Sequence, residues 1–585
     1  MSKKPNFLLI IVDEERYPPA YESPEICAWR LTNLPAHERL RKNSIELHRH
    51  YIGSAACSPS RTTMFTGHYP SLHGVSQTNG IAKSAFDSDM FWLPPNTVPT
   101  MGNYFREAGY QTYYKGKWHI SYEDILVPGT HTDMPSYDPT SGVPDPKREQ
   151  LYLSADPLNA FGFSSWIGPE PHGRNPHNSA SSSATGMSGR DVMYSAETVK
   201  LIEALDYQKS VEPDTKPWLI VASFVNPHDI TLYGMLTANL PNMFHFHVDP
   251  MPEVPPPPTI HESLHTKPSC QASYRDTYPK ALQPIGNEPF YRKLYYQLQK
   301  NADHQIMKVL DALSRSSFDE DTIVIFTSDH GELLGAHGHL RQKMYCAYEE
   351  VLHVPFFIHN RRLFPHKQSF SELTSHLDLL PTMLGLANAD IPAIENRLKS
   401  SFTEVRPFVG HDLTPYLLNR PEHKGAAYAN EPIYFMTDDY ITRGQQQFNP
   451  LGRAYNSVIQ PNHIETVIAD LPGHRGQPSQ TWKFTRYFDN EQFWSDPGVR
   501  DVTIQLFGEL CADSNQTTSQ VTCKTVPAPE EYELYNLTED PLETRNLAHP
   551  VWSNSQTKYV QSYMARLLEE QRGRKRLTPE PMNQE

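Results

Sequence analysis

Four short runs do most to limit how this chain can fold: NFLLIIVD (Asn6 to Asp13), WLIVASF (Trp218 to Phe224), TIVIFTSD (Thr322 to Asp329) and VPFFIH (Val354 to His359). They are β-branched or aromatic in character and apolar at odd and even positions alike. A strand alternates its side chains between two faces, so a run with no polar face belongs in a sheet covered on both sides. Segments of helical period lie between the runs. Met101, Tyr104, Phe105 and Ala108 share one helix face, with Gly109 as the stop behind them. From Phe290 to Leu313 the positions Tyr291, Leu294, Tyr295, Leu298, Ala302, Ile306, Val309, Leu310 and Leu313 keep an apolar stripe that leads straight into the Thr322 run. Alternating strand and helix predicts an α/β fold with a large, mostly parallel central sheet flanked by helices.

At 585 residues the chain is too long for one ordinary core. After about Asn419 the pattern turns to short strand-like pieces such as TWKFTRYF (Thr481 to Phe488), closed by a helical tail from Lys558 to Arg572. The expected division is a large α/β domain over residues 1–418 and a smaller C-terminal α+β domain over 419–585, with a short antiparallel sheet. Two stretches interrupt the pattern: a Ser/Gly/Asn-rich one from Gly173 to Gly189, and a proline-rich one from Asp249 to Pro268 containing PEVPPPPT. Both read as loops, the second as one that shapes a substrate site.

A net charge of -15 argues against nucleic acid or anionic lipid as the main partner. Six cysteines, scattered and without a C-x-x-C pair, provide neither a disulfide scaffold nor a zinc site. The opening MSKKPNFLLIIVDEER has two lysines before an apolar run, but that run is short and ends in acids, which fits a buried strand better than an export signal. No apolar stretch approaches the roughly 18–20 residues that cross a bilayer. The expectation is a cytoplasmic protein with no membrane partner. The closing EEQRGRKRLTPEPMNQE reads as a solvated end or as an arm to a second copy, which leaves a homo-oligomer open.

Acids and imidazoles stand where the buried runs end. Asp13 and Glu14 close the first, and Asp329 and His330 close the third. Open α/β sheets place their sites at the carboxyl edge. Either pair alone reads equally as a cap or a surface pair; together they offer a divalent cation three carboxylates and one imidazole. That mainly oxygen set suits calcium or magnesium, and the imidazole leaves manganese open. In GYQTYYKGKWH (Gly109 to His119), Lys117 and His119 would face one side if the segment stays extended. His228 follows Pro227 at the end of the Trp218 run, where the proline forces a turn. Lys343, by itself, is an ordinary surface lysine.

Cys57 lies in SAACSPSRTTMFTG, where Ser58, Pro59 and Ser60 favour a helix start. It reads as a buried structural cysteine or as a thiolate nucleophile, since a helix start beside Arg61 lowers a thiol pKa. Neither accounts for the pattern around it. C-x-P-x-R with a following Thr-Gly, then GKWH, NPHD and SDHG, resembles the type I, formylglycine-dependent sulfatase family of the alkaline-phosphatase-like superfamily. VDEE, Lys343, SHLDLLPTMLGLA (Ser375 to Ala387) and ELYNLTEDPLETRNLA (Glu533 to Ala548) extend the likeness, in order, over most of the chain.

The resemblance implies that a separate formylglycine-generating enzyme oxidises Cys57 to an aldehyde, whose hydrate attacks the sulfur of a small-molecule sulfate ester, as in arylsulfatases. The second hydroxyl then lets the sulfated hemiacetal collapse, releasing sulfate. It further implies one divalent metal, calcium first with manganese or magnesium as alternatives, on Asp13, Glu14, modified Cys57, Asp329 and His330. His119 takes the proton in the collapse. His228 and Lys343 serve the leaving oxygen, and Arg61 and Lys117 orient the diol and the sulfate oxygens. Glu14 stands where many relatives have aspartate, and His330 where many have asparagine. A histidine there also occurs in phosphonate monoester hydrolases, which cleave phosphodiesters, so that activity is the alternative.

Overall fold

The computed structural model describes residues 4–581, apart from residue 81 and the stretches 172–175, 184–188, 419–430, 444–446, 450, 474–476, 494–502, 506–519 and 523–525. Seven strands form the main sheet: β1 (Asn6–Asp13), β2 (Ser44–Tyr51), β3 (Gln111–Gly116), β4 (Trp218–Pro227), β5 (Thr322–Ser328), β6 (Phe356–His359) and β7 (Gln368–Ser375). Their spatial order is β3-β4-β1-β5-β6-β2-β7. β3, β4, β1 and β5 run parallel to one another, as β2 does to β7, while β6 is antiparallel to both β5 and β2. The mostly parallel sheet expected from the apolar runs is therefore present, with one reversed strand. β2 and β7 carry polar residues such as His48, Arg49 and Glu372 and lie towards one edge, which is why no fully apolar run announces them.

Both faces of the sheet are covered. Phe7, Leu9 and Ile11 of β1 pack with Leu219, Val221, Ile323 and Ile325 under the helices Met101–Glu107 and Leu379–Leu386. Leu8, Ile10 and Val12 pack on the other face, with Ile220, Val324 and Phe326, under the helices Gly189–Val211 and Glu288–Arg315. The apolar stripe read from Phe290 to Leu313 is the buried face of the second of these.

A second sheet is antiparallel throughout, with β8 (Ile433–Thr437), β9 (His463–Leu471), β10 (Gln480–Phe488) and the strand Glu531–Asn536. The helix Ser555–Lys575 packs Met564 and Leu568 against Val467, Trp482 and Leu534 on one face. The other face places Phe435, Ile468 and Tyr487 in a cluster with Leu333, Tyr348 and Val351 of the first body. The expected boundary at 418/419 meets the stretch 419–430, which lies outside the described residues, as do 173–175 and 184–188 of the Ser/Gly/Asn-rich stretch. The proline-rich segment is packed: Val254 is buried beside Tyr291, and Lys267 Nζ donates to Tyr535 Oη at 2.7 Å. Among the described residues no helix is long and apolar enough to cross a membrane.

Register sets up the site. Val12 pairs with Ser328, Asp13 with Pro227 and Gly116 with Ser223, so the carboxyl ends of β3, β4, β1 and β5 lie side by side. Gly116 has φ +101°, and a Cβ there would sit 1.8 Å from the Ser223 carbonyl oxygen. Gly116→Ala is expected to cost on the order of 2–3 kcal/mol through backbone strain and displacement of β4, read as a lowered denaturation midpoint. A midpoint equal to wild type would remove this constraint from the account.

Candidate active site

Cys57 opens the helix Cys57–Thr66, every residue of which is buried. Its Sγ lies 3.1 Å from His330 Nε2 and 3.9 Å from Asp13 Oδ1. Asp13, Cys57, Asp329 and His330 bring one ligand atom each to within 4.8 Å of one another, and Asp13, Glu14 and His228 form a second such group sharing Asp13. Asp13 from the first pair and both members of the second therefore converge on the cysteine from two distant parts of the chain. His330 Nδ1 is 3.1 Å from the Gly331 carbonyl, which holds the proton there and turns the lone pair of Nε2 towards the acids.

Three permanent cations thread this group. Arg61 donates from Nε to Asp329 at 2.7 Å, from Nη2 to Asp13 at 3.1 Å, and from Nη1 to the Lys117 carbonyl and Ser223 Oγ at 2.8 and 2.9 Å. Lys117 Nζ is 2.7 Å from Asp13 Oδ2, and Lys343 Nζ is 3.0 Å from Glu14 Oε2. Burial pushes the Asp13 carboxyl up, but Lys117, His228, Arg61 and His330 together hold it well below the usual carboxylate range. Glu14 behaves differently. Burial keeps it well above its usual range, with Glu332 adding and Lys343 opposing, and its Oε1 is buried with no hydrogen-bond partner.

The expectation of a thiol made acidic by the helix start is overturned. Burial, then the Asp13 charge, pushes Cys57 up to about 11, against which Lys343 and Lys117 are insufficient. The placement of Lys117 and His119 also differs from strand alternation. β3 ends at Gly116, and His119 has φ 58° in a turn whose amides at 118 and 119 both donate to Glu170 Oε1, at 3.0 and 2.9 Å. Lys117 reaches Asp13, while His119 Nε2 lies 2.5 Å from Asn79 Oδ1. Burial, with Lys117 and Arg61, pushes His119 well below the usual imidazole range, so it is neutral. His228 begins a short 3-10 turn, with Nε2 3.8 Å from Glu14 and 4.0 Å from Asp13.

Among the aromatic residues of the irregular stretches, Tyr137, Phe161 and Trp166 are core residues at 1–2% exposure, and Phe244 and Phe246 stack on each other beside Tyr233. Trp92 stands by the site instead: its ring is 5.9 Å from that of His119 and 6.1 Å from that of Tyr122, and Phe86 follows at 4.9 Å from Tyr122. Phe86 is 47% exposed, so this aromatic wall leads from the buried His119 to solvent. The sequence does not single out Asn79, Glu170 and Ser223, whose partners here, His119, the amides at 118 and 119, and Arg61, lie 40 or more positions away.

The residues fit a divalent cation. Three carboxylates, an outward-turned imidazole lone pair and the partnerless Glu14 oxygen make a mainly oxygen donor set with an unsatisfied acceptor in it. Glu14 belongs to the group nearer His228, so its longer side chain takes a different place from the acids facing Cys57.

A covered sheet whose strand ends gather acids, fixed cations and imidazoles round one helix-start residue defines a site for an anionic tetrahedral ester. The Sulfatase family model matches residues 5–389, and the chain belongs to that family, in the alkaline-phosphatase-like fold. It is 28% identical over 395 residues to the uncharacterized sulfatase YidJ of Escherichia coli (strain K12), covering 67% of this chain and 69% of that protein. It is 26% identical over 451 residues to the choline-sulfatase of Rhizobium meliloti (strain 1021), covering 74% and 75%. Among solved structures, the phosphonate monoester hydrolase of Agrobacterium radiobacter shares the fold with TM-score 0.54 at 17% identity, over 98% of this chain and 96% of that one. An enzyme in complex with its substrate D-glucosamine-2-N,6-O-disulfate does so with TM-score 0.57 at 15% identity, over 98% of each.

Adding calcium, magnesium or manganese back to chelator-treated protein is expected to raise its unfolding midpoint, a cation at 100 times its Kd contributing about 2.7 kcal/mol. Asp329→Asn should weaken the shift. A midpoint that none of the three ions moves would exclude a cation at this cluster.

Proposed function

We propose that this chain hydrolyses an organic sulfate ester to an alcohol and sulfate, with Cys57 converted to formylglycine by a maturation enzyme and one divalent cation beside it. The observation that carries the reading is the convergence of Asp13, Asp329 and His330 on one buried sulfur, with Arg61, Lys117 and Lys343 packed round the same acids. The family as a whole hydrolyses sulfate esters and typically uses a metal and formylglycine. Asp13, Glu14, Asp329 and His330 would hold the cation, calcium first, with the His330 nitrogen favouring manganese over magnesium as the alternative. When bound, it polarises a sulfate oxygen. Formylglycine supplies, as its hydrate, a nucleophilic hydroxyl and a second one through which sulfate is expelled by elimination.

The remaining work falls to this chain's own side chains. Arg61 is locked by four hydrogen bonds and orients Asp13 and Asp329 towards position 57, while Lys117 and Lys343 present charge to the sulfate oxygens without reorganising. With Nε2 on Asn79, neutral His119 keeps a buried, unbonded Nδ1 that can take the proton of the second hydroxyl. His228, its side chain 14% exposed at the solvent side of Glu14, donates to the leaving alcohol oxygen, with Lys343 stabilising it. Trp92 and Phe86 supply an apolar wall for the organic half.

The alternative is phosphonate monoester or phosphodiester hydrolysis, favoured by His330. Side-by-side kinetics on an aryl sulfate, a phosphonate monoester and a phosphodiester decide, the sulfate being expected to give the highest kcat/KM. Mass spectrometry of the tryptic peptide ending at Arg61 should show the aldehyde, and Cys57→Ala should lower kcat by more than about a thousand-fold. Full turnover in Cys57→Ala sinks the reading. Trp92→Ala is expected to raise KM for an aryl sulfate by about ten-fold with a smaller effect on kcat, and an unchanged KM would remove the aromatic wall from substrate binding.

A further inference from the structure

We propose that Asp439, which follows β8 of the second sheet, is a positioning residue that fixes Cys57 relative to His119; the proposal rests on the sulfate-ester reading above. Asp439 is buried and bridges two segments. Its Oδ2 accepts from the Ala56 amide at 3.2 Å and its Oδ1 from the Thr78 amide at 3.2 Å, across 383 and 361 positions of sequence. Ala56 directly precedes Cys57. Thr78 directly precedes Asn79, whose side chain holds His119 Nε2.

The helix Cys57–Thr66 cannot supply this contact itself. Ala56 caps it without a side-chain bond, and the third helical position, where a capping box places its returning acid or amide, is Pro59. Asp439 provides that acceptor from the second sheet and adds a negative charge near the helix start. Its neighbours brace it. Met436 N donates to the Gly53 carbonyl at 3.1 Å, Thr437 Oγ1 donates to the Ala55 carbonyl, and Asp439 N donates back to Thr437 Oγ1 at 3.2 Å. On the other arm, Gln77 donates to the Asp438 carbonyl at 2.7 Å and accepts from the Tyr440 amide at 3.1 Å. Lys83 is the cation facing Asp439.

The two N–H donors reach different terminal atoms of one side chain, so both of those atoms have to be acceptors. Asparagine keeps one and turns an NH2 against the other amide. Asp438 is the internal control: it is also buried, but its side chain bonds His463 at 2.8 Å and Asn490 at 2.9 Å and touches neither catalytic segment.

The test compares wild type, Asp439→Asn, Asp438→Asn and Asn79→Ala on an aryl sulfate, with kcat counted per aldehyde-bearing chain and unfolding midpoints measured in parallel. Asp439→Asn is expected to lower kcat about ten- to a hundred-fold with KM within about two-fold, the pattern of lost alignment and not lost binding. Asp438→Asn should lower the midpoint at least as much yet keep kcat. Asn79→Ala should lose kcat in the same direction, which tests the His119 arm even if Asp439→Asn does not fold. Wild-type kcat in either Asp439→Asn or Asn79→Ala, or equal kcat loss in the two aspartate variants, overturns the proposal and leaves the sulfate-ester reading intact. A wild type inactive towards the sulfate despite carrying the aldehyde overturns both.

Discussion

The site depends on one buried guanidinium. Arg61 is fully enclosed, and its five-donor fork is divided among Asp329, Asp13, the Lys117 carbonyl and Ser223, which stand at or beside the ends of β5, β1, β3 and β4. An arginine suits this because its charge persists at any working pH and its planar fork fixes directions as well as distances. Removing one partner of such a pair leaves an uncompensated buried charge, which costs about 3–5 kcal/mol. The same residue is one helical turn from Cys57, so the helix that presents position 57 is anchored by the acids it faces.

Charge balance follows from this arrangement. Counted in their charged forms, Asp13, Glu14 and Asp329 offset Arg61, Lys117 and Lys343. The proposed divalent cation among them would leave two units of positive charge, enough to draw an anionic ester to a molecule of net charge -15. The second sheet contributes geometry to the same end. β8 lies along residues 53–56, and the main-chain and side-chain bonds between them fix how the chain enters the Cys57 helix.

Much of this was legible along the chain. The acids closing the first and third apolar runs, the helix start at Cys57 and His228 after Pro227 are local features, and local periodicity placed them at strand ends where the structure has them. Other features were not. β2 and β7 are polar on alternate positions near an edge, so they lack the run that marks a buried strand. Asn79, Glu170, Ser223 and Asp439 act through contacts to groups far away in sequence, and nothing in their own neighbourhoods signals it. An aromatic side chain serves equally well in a core or at a rim, so Tyr137, Phe161 and Trp166, which are buried in the core, are not told apart in sequence from Trp92, which is set apart only by the ring it faces.

The amino-acid sequence alone determined the buried apolar strands and the long helix before the third of them, the carboxylates at the sheet's carboxyl edge and the helix start at Cys57, since all of these follow from short-range periodicity and chain direction. Tertiary structure alone decided that β6 runs backwards, that Glu14 sits apart from the acids facing Cys57, that the turn at Gly116 sends Lys117 and His119 to different partners, and that burial pushes the Cys57 thiol up. The reason is desolvation: a buried group takes its charge state and partners from whatever else is packed around it, and those neighbours arrive from hundreds of residues away.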